Sequence, residues 1–212
     1  MRRMSLPDNS KPIGNRIDQL IDELSAPDAL AHEDAAREIF AIGFARAKQS
    51  VSQWLADADL ADCFIFAEYG KQGRFPRTTV GIAVEPPRFV RIRTANGSPP
   101  LADVPGDLDA EEFEIRAGDT VHLDVLTTRD RNAAGAIARF LKKHGEGIQQ
   151  IELNVRGVGR ATQLLRDRFG LAPIYPQMRE GADGARVNFF LVSAQDGSKL
   201  LIELVEEPPA RS

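Results

Sequence analysis

The chain has 212 residues, 42% hydrophobic and 27% charged, with 27 Lys and Arg against 31 Asp and Glu for a formal net charge of −4. That suits a soluble globular protein with a sizeable core, and a mildly acidic chain lacks the electrostatic footprint of a nucleic-acid or anionic-membrane binder. A single cysteine excludes an intramolecular disulfide, and three histidines leave little basis for structural zinc or a Cys-His nucleophile. A cytoplasmic location is expected. No apolar run is long enough to span a bilayer.

Residues 1–13 are polar, carry two prolines and two arginines with no apolar run behind them, and read as a flexible lead-in rather than a secretory leader. Asn15 is placed to cap a helix over Arg16–Leu24, with Ile17, Leu20, Ile21 and Leu24 as its apolar stripe. A second helical stretch begins near Asp28, after Pro27. Phe40, Phe44, Ala47, Val51 and Trp54 fall at helical spacing, one face of a continuous helix. Phe64–Tyr69 and Thr78–Val84 bracket a Gly-Lys-Gln-Gly turn and predict a hairpin. Pro86-Pro87 breaks that pattern, and Arg88–Arg93 reads as a further strand. Residues 94–110 form a Pro/Gly/Asp-rich loop, longer than an ordinary connection and therefore functional or poorly ordered. Glu112–Arg116 and Thr120–Leu126 predict a hairpin, and Ala133–Lys143 a linking helix.

The remainder is the most legible part. In Ile148–Val155, Gln150, Glu152 and Asn154 face one way and Ile151, Leu153 and Val155 the other. Val158, Ala161, Leu164, Leu165 and Phe169 make a helical stripe that Gly170 ends. Pro173–Met178 and Ala185–Val192 read as strands around a Gly181–Gly184 turn, and a turn over Gln195–Ser198 leads into a last strand, Lys199–Glu206. The order is βαβββ.

Two motifs in this stretch, Phe140-Leu141-Lys142-Lys143-His144-Gly145-Glu146-Gly147-Ile148 and Ile202-Glu203-Leu204-Val205-Glu206, resemble the linker and closing strand of the vicinal oxygen chelate superfamily, and most closely those of methylmalonyl-CoA epimerases. The similarity is strongest over residues 118–207. It implies an α+β fold in which paired βαβββ modules form a curved open sheet around a cleft, with extra N-terminal helices. The corresponding division is an extension (1–35), a degenerate first module (36–128), a linker helix (129–146) and a second module (147–207). The family pattern would lay a strand over Glu38–Ala45 and a helix over Lys48–Leu60, against the continuous helix that periodicity suggests. We carry the strand forward, because Trp54, Leu60 and the Cys63–Phe66 run then fall where the pattern wants them.

The resemblance also implies a divalent metal (cobalt, magnesium, manganese, zinc or nickel) held by four side chains, which polarises a substrate oxygen. Carried over position by position, Glu203 is retained, Gln150 replaces a histidine, Asp124 stands on the last strand of the first module with His122 two residues away, and the fourth position falls on Ala41. The family's catalytic carboxylate falls on Lys71, beside Gln72-Gly73. Glu68 and Glu152 are then the candidate bases, and Lys71 and Asn154 candidate ligand contacts. The expected protein keeps the cleft for a small carbonyl or acyl-CoA-type ligand over an eroded metal site, the alternative being an active metal-dependent isomerase or lyase. A homodimer is expected by the same analogy.

Overall fold

The structure, a computed structural model, describes residues 13–194 and 197–209; the lead-in and part of the turn over Gln195–Ser198 lie outside them. The first element, α1 (Ile13–Glu23), buries Ile17, Leu20 and Ile21, with Leu24 just beyond its end. It begins ahead of Asn15, which therefore sits within the helix and not at its cap.

Asp28 caps α2 (Ala29–Val51), its side chain accepting from the Leu30 amide. This helix runs unbroken through Glu38–Ala45, so the expected strand is absent and Ala41 belongs to a helix. The local period decided the outcome: His32, Ala36, Ile39, Phe40, Gly43, Phe44, Ala47 and Val51 are all buried along one stripe. A short helix, α3 (Ala58–Ala61), leads to a separate two-stranded sheet of β1 (Phe66–Glu68) and β2 (Arg74–Pro76). The hairpin partner of β1 is thus β2 and not Thr78–Val84. Rings of Tyr69 and Phe75 pack on Phe44, which fastens this hairpin to α2.

Seven strands make the main sheet: β3 (Thr78–Ala83), β4 (Ala110–Arg116), β5 (His122–Thr128), β6 (Gly147–Asn154), β7 (Arg179–Glu180), β8 (Arg186–Ser193) and β9 (Lys199–Glu206). Their order is β4-β5-β3-β6-β9-β8-β7. The two halves meet where β3 and β6 pair antiparallel. Within each half the opening strand pairs parallel with the closing one, β3 with β5 and β6 with β9, and a helix follows each opening strand: α4 (Pro86–Ala95) and α6 (Val158–Phe169). The opening strand of the first half is therefore β3. Arg88–Arg93 is helix rather than strand, since prolines are tolerated in a first helical turn and Phe89 and Ile92 bury one face. Between α5 (Ala136–His144) and α6 the expected elements appear, and Gly170 closes α6 in the left-handed region at φ 64°. Pro173–Met178 does not form a strand; only an isolated bridge at Pro173 and the two residues of β7 remain. Pro173 and Pro176 have no N–H to give a ladder.

Every long strand alternates between two environments. Val80, Ile82, Leu123, Val125, Ile151, Leu153, Ile202 and Leu204 join the main core with α1, α2, α4 and α6. Their neighbours face the other way, into a cleft. Helix and sheet approach closely at Gly43, where an added Cβ would lie 2.8 Å from both Val80 methyls and 3.0 Å from Ile151 Cδ1. Alanine there would gain about 1 kcal/mol of helix propensity, but it would collide with branched side chains that are themselves fully buried. We expect Gly43→Ala to destabilise the protein by about 1–3 kcal/mol on chemical denaturation, against the sign that propensity predicts.

Candidate functional site

The cleft encloses about 1190 Å³. Its wall is built by the second residue of each strand pair: Glu112 and Glu114 from β4, His122 and Asp124 from β5, Thr79 from β3, Gln150, Glu152 and Asn154 from β6, and Glu203 from β9. Strand register brings these together. Glu114 stands opposite Asp124, Gly81 opposite both Asp124 and Gln150, and Glu152 beside Glu203. Gly81 is needed at this crossing, because a Cβ there would lie 2.7 Å from the Gln150 Cγ.

Gln150, Glu203 and Asp124 therefore share one hollow, each buried. The Gln150 Nε2 donates to Glu152 Oε1 (2.9 Å) and to Glu203 Oε2 (2.7 Å). Asp124 and Glu152 are themselves hydrogen-bonded, a contact that favours the proton on Asp124. Burial is the main force on these acids, followed by repulsion from their neighbours. It pushes Asp124 and Glu203 well above the usual carboxylate range, with Glu152 and Glu112 as the repelling charges. Glu152 is raised mainly by burial, and Glu112, half-buried, is pushed up to about 8. Glu114 goes the other way: burial would raise it, but hydrogen bonds to His122 and Arg116 outweigh that and hold it low. Burial and mutual repulsion thus raise the inner carboxyl groups and favour their protonated forms.

Two expected participants lie elsewhere. Glu68, on β1, and Lys71, in the turn after it, are exposed and do not line the cavity. Their hairpin is fastened to α2, and the Lys48 Nζ also donates to the Gln72 carbonyl. The family pattern placed Lys71 after an opening strand over Glu38–Ala45, which is helix, whereas the half opens with β3, beyond Lys71 in the chain. Asn154 does line the cleft and donates to Glu207 Oε1 at 3.0 Å, and His122 is engaged by Glu114 at 2.6 Å. Glu112 and Gln149 were missed. Alternation along Ala110–Arg116 offered a signal for Glu112, whereas Gln149 offered none.

The metal implied by the resemblance can be tested against these residues. The antiparallel pairing sets Thr79 opposite Glu152 and Gly81 opposite Gln150, so exchanging the two halves puts Thr79, not Ala41, at the position equivalent to Gln150. Threonine is a weak substitute for a histidine ligand. More directly, the Gln150 amide nitrogen already stands between Glu152 and Glu203, with donors where a cation would need acceptors. Among the described residues, no three His, Cys, Asp or Glu side chains are grouped so that they could hold a metal ion. The residues as arranged do not fit one.

The mouth is bridged. The loop between α4 and β4 crosses from one edge of the sheet to the other: the Asp103 amide donates to Asp183 Oδ1 (2.8 Å), the Asp183 amide donates to the Asp103 carbonyl (2.9 Å), and Arg179 pairs with Asp107. Pro99, Pro100, Leu101 and Val104 of this loop line the cavity. Asp183 is held at φ 52°, a region aspartate tolerates better than alanine.

Among solved structures, methylmalonyl-CoA epimerase from Mycobacterium tuberculosis is similar at 28% identity, over 62% of this chain and 87% of its own, with a TM-score of 0.50. A hypothetical protein from Bacillus halodurans (22% identity, 63% and 95% covered, TM-score 0.50) shares the fold. So does a methylmalonyl-CoA epimerase in complex with methylmalonyl-CoA and ammonium (22%, 65% and 97%, TM-score 0.50). No family model and no curated protein matches the sequence. The curved seven-stranded sheet is the fold of the vicinal oxygen chelate superfamily. No helix among the described residues is long and apolar enough to cross a membrane.

Two outcomes test this geometry. Glu112 is raised in the folded state from an ordinary value of 4.5 to about 8, so the native protein binds the extra proton between those values. Its contribution is complete below pH 4.5 and is lost as pH rises through 8. Glu112→Gln should flatten that decline and raise stability at pH 8–9 by about 1–3 kcal/mol in urea titrations. Separately, Asp183→Ala removes the acceptor of the Asp103 amide, and amide exchange across residues 99–108 should accelerate about tenfold or more by mass spectrometry.

Proposed function

We propose that the cleft binds a small carbonyl compound, most readily the acyl end of a coenzyme A thioester, and holds its oxygen with protonated carboxyl groups instead of a divalent cation. One observation carries the reading: Asp124, Glu203 and Glu112 line the cavity together, where burial and mutual repulsion raise all three and favour their protonated forms. A neutral carboxylic acid donates a strong hydrogen bond to a carbonyl oxygen, and does so best where water is excluded. Arg77, Arg139 and Arg179 also line the cavity and are more exposed than the inner acids. That grades the cleft from a cationic outer part, suited to phosphates, to an acidic floor suited to a carbonyl. The likeness to the mycobacterial methylmalonyl-CoA epimerase supports the acyl-CoA class.

A second reading, proton transfer at the carbon beside that carbonyl, is favoured by the Asp124–Glu152 pair. Two carboxyls sharing one proton leave Glu152 as an acceptor next to a donor. Glu152 would take the proton from carbon while a protonated neighbour supports the oxygen of the resulting enolate. This would make the protein an isomerase acting without a metal.

Calorimetry with propanoyl-CoA across pH decides the first reading. Binding should be strongest below neutrality and weaken as pH passes about 8, where Glu112 ionises and one donor becomes a repelling charge. Purified protein should carry no stoichiometric divalent metal. Metal at one equivalent per chain, lost together with binding in Glu203→Ala, would sink the proposal and restore the metal-dependent isomerase. Deuterium uptake by a 2-methyl-branched acyl-CoA, abolished in Glu152→Gln, would establish the second reading; no uptake leaves a binding protein.

A further inference from the structure

Gln149 and Gln150 are neighbours in β6, and neighbouring strand residues ordinarily point to opposite faces. Here the pairing slips: Gly81 lies opposite Gln150 but Ile82 lies opposite Ile148, which leaves Gln149 as the extra residue of a β-bulge. Bulges recur beside binding sites because they re-aim a side chain. This one puts both glutamines on the cavity wall. Gln150 spends its amide hydrogens on Glu152 and Glu203. Gln149, only 8% exposed, keeps a buried Oε1 with no hydrogen-bond partner among the described residues. A buried acceptor left unpaired is a standing cost to the folded protein, and a bulge that creates one on a cavity wall calls for a donor from the ligand.

We propose that Gln149 is a specificity-determining residue whose Oε1 accepts a hydrogen bond from a hydroxyl on the ligand's acyl chain, so that the cleft prefers a hydroxyacyl group to a plain one. A hydroxyl suits this wall because it donates to the amide oxygen and still accepts from a neighbouring carboxyl group. The inference rests on the reading of the cleft as an acyl site. Discrimination of this kind is effective because the analogue lacking the hydroxyl must leave the protein's buried oxygen unpaired.

Matched ligands test it: 2-hydroxypropanoyl-CoA against 2-methylpropanoyl-CoA, and 3-hydroxypropanoyl-CoA against butanoyl-CoA, measured by calorimetry. In at least one pair the hydroxy ester should bind about tenfold tighter or more. Gln149→Met should abolish the preference, the hydroxy ester losing its advantage over the matched ester without the hydroxyl, and Gln149→Glu, which keeps an acceptor, should retain it. Equal binding within both pairs, or a preference undiminished in Gln149→Met, overturns the proposal. Should no coenzyme A ester bind, the acyl reading fails by itself. The role of Gln149 is then decided by NMR titration with 2-hydroxypropanamide and 2-methylpropanamide: a shift of the Gln149 side-chain amide by the hydroxy compound alone supports it, and equal or absent shifts overturn it.

Discussion

The structure depends on one constraint, the two-residue period of strands that must be oily on one face and polar on the other. The convex face of the sheet is sealed by α1, α2, α4 and α6, and residues such as Ile151, Leu153, Ile202 and Leu204 are fully buried there. Because those residues are committed, Gln150, Glu152 and Glu203 have no choice of direction. A shift of one residue would bury the acids in hydrocarbon and expose the core. Core packing therefore aims the side chains of the cleft.

Those side chains are costly to keep. Asp124 and Glu203 are buried beside further carboxyl groups, an environment that penalises their charged forms. The protein offsets part of the cost by setting the Gln150 amide between Glu152 and Glu203. The same substitution that removes a metal ligand thus supplies the donor that lets carboxyls sit side by side. A site that would be called eroded from its letters is internally consistent as a hydrogen-bonded set of buried acids and an amide.

Most of the second half was legible to within a residue or two: β6, α6, Gly170 and β9 stand where periodicity and the glycine stop put them, whereas Pro173–Met178 forms no strand. Gln150, Asp124 and Glu203 line one cavity, and the signals that pointed to them, a motif and an alternating face, are local features. The first half was legible only in part: α1, the strand β3 and the hairpin of β4 and β5 stand close to expectation, but the elements thought to open it do not. Applying the family pattern from the wrong starting strand laid a strand over Glu38–Ala45 within α2 and carried Lys71 and Glu68 into a cleft they do not line, while the strand expected over Arg88–Arg93 came from its own residues and is helix. The warning was present in Phe40, Phe44, Ala47 and Val51, whose helical spacing outweighed the resemblance.

By itself, the sequence determined which faces of its helices and strands are apolar and where glycine and proline end them, because these follow from periods of 3.6 and 2 and from backbone sterics within a few residues. Only the tertiary structure decided that β3 opens the first half, that Thr79 rather than Ala41 matches Gln150, that a bulge turns Gln149 inward, and that Asp103 meets Asp183 across the mouth. Each of these depends on register between segments far apart in the chain, and register is set by how whole faces pack, not by any residue alone.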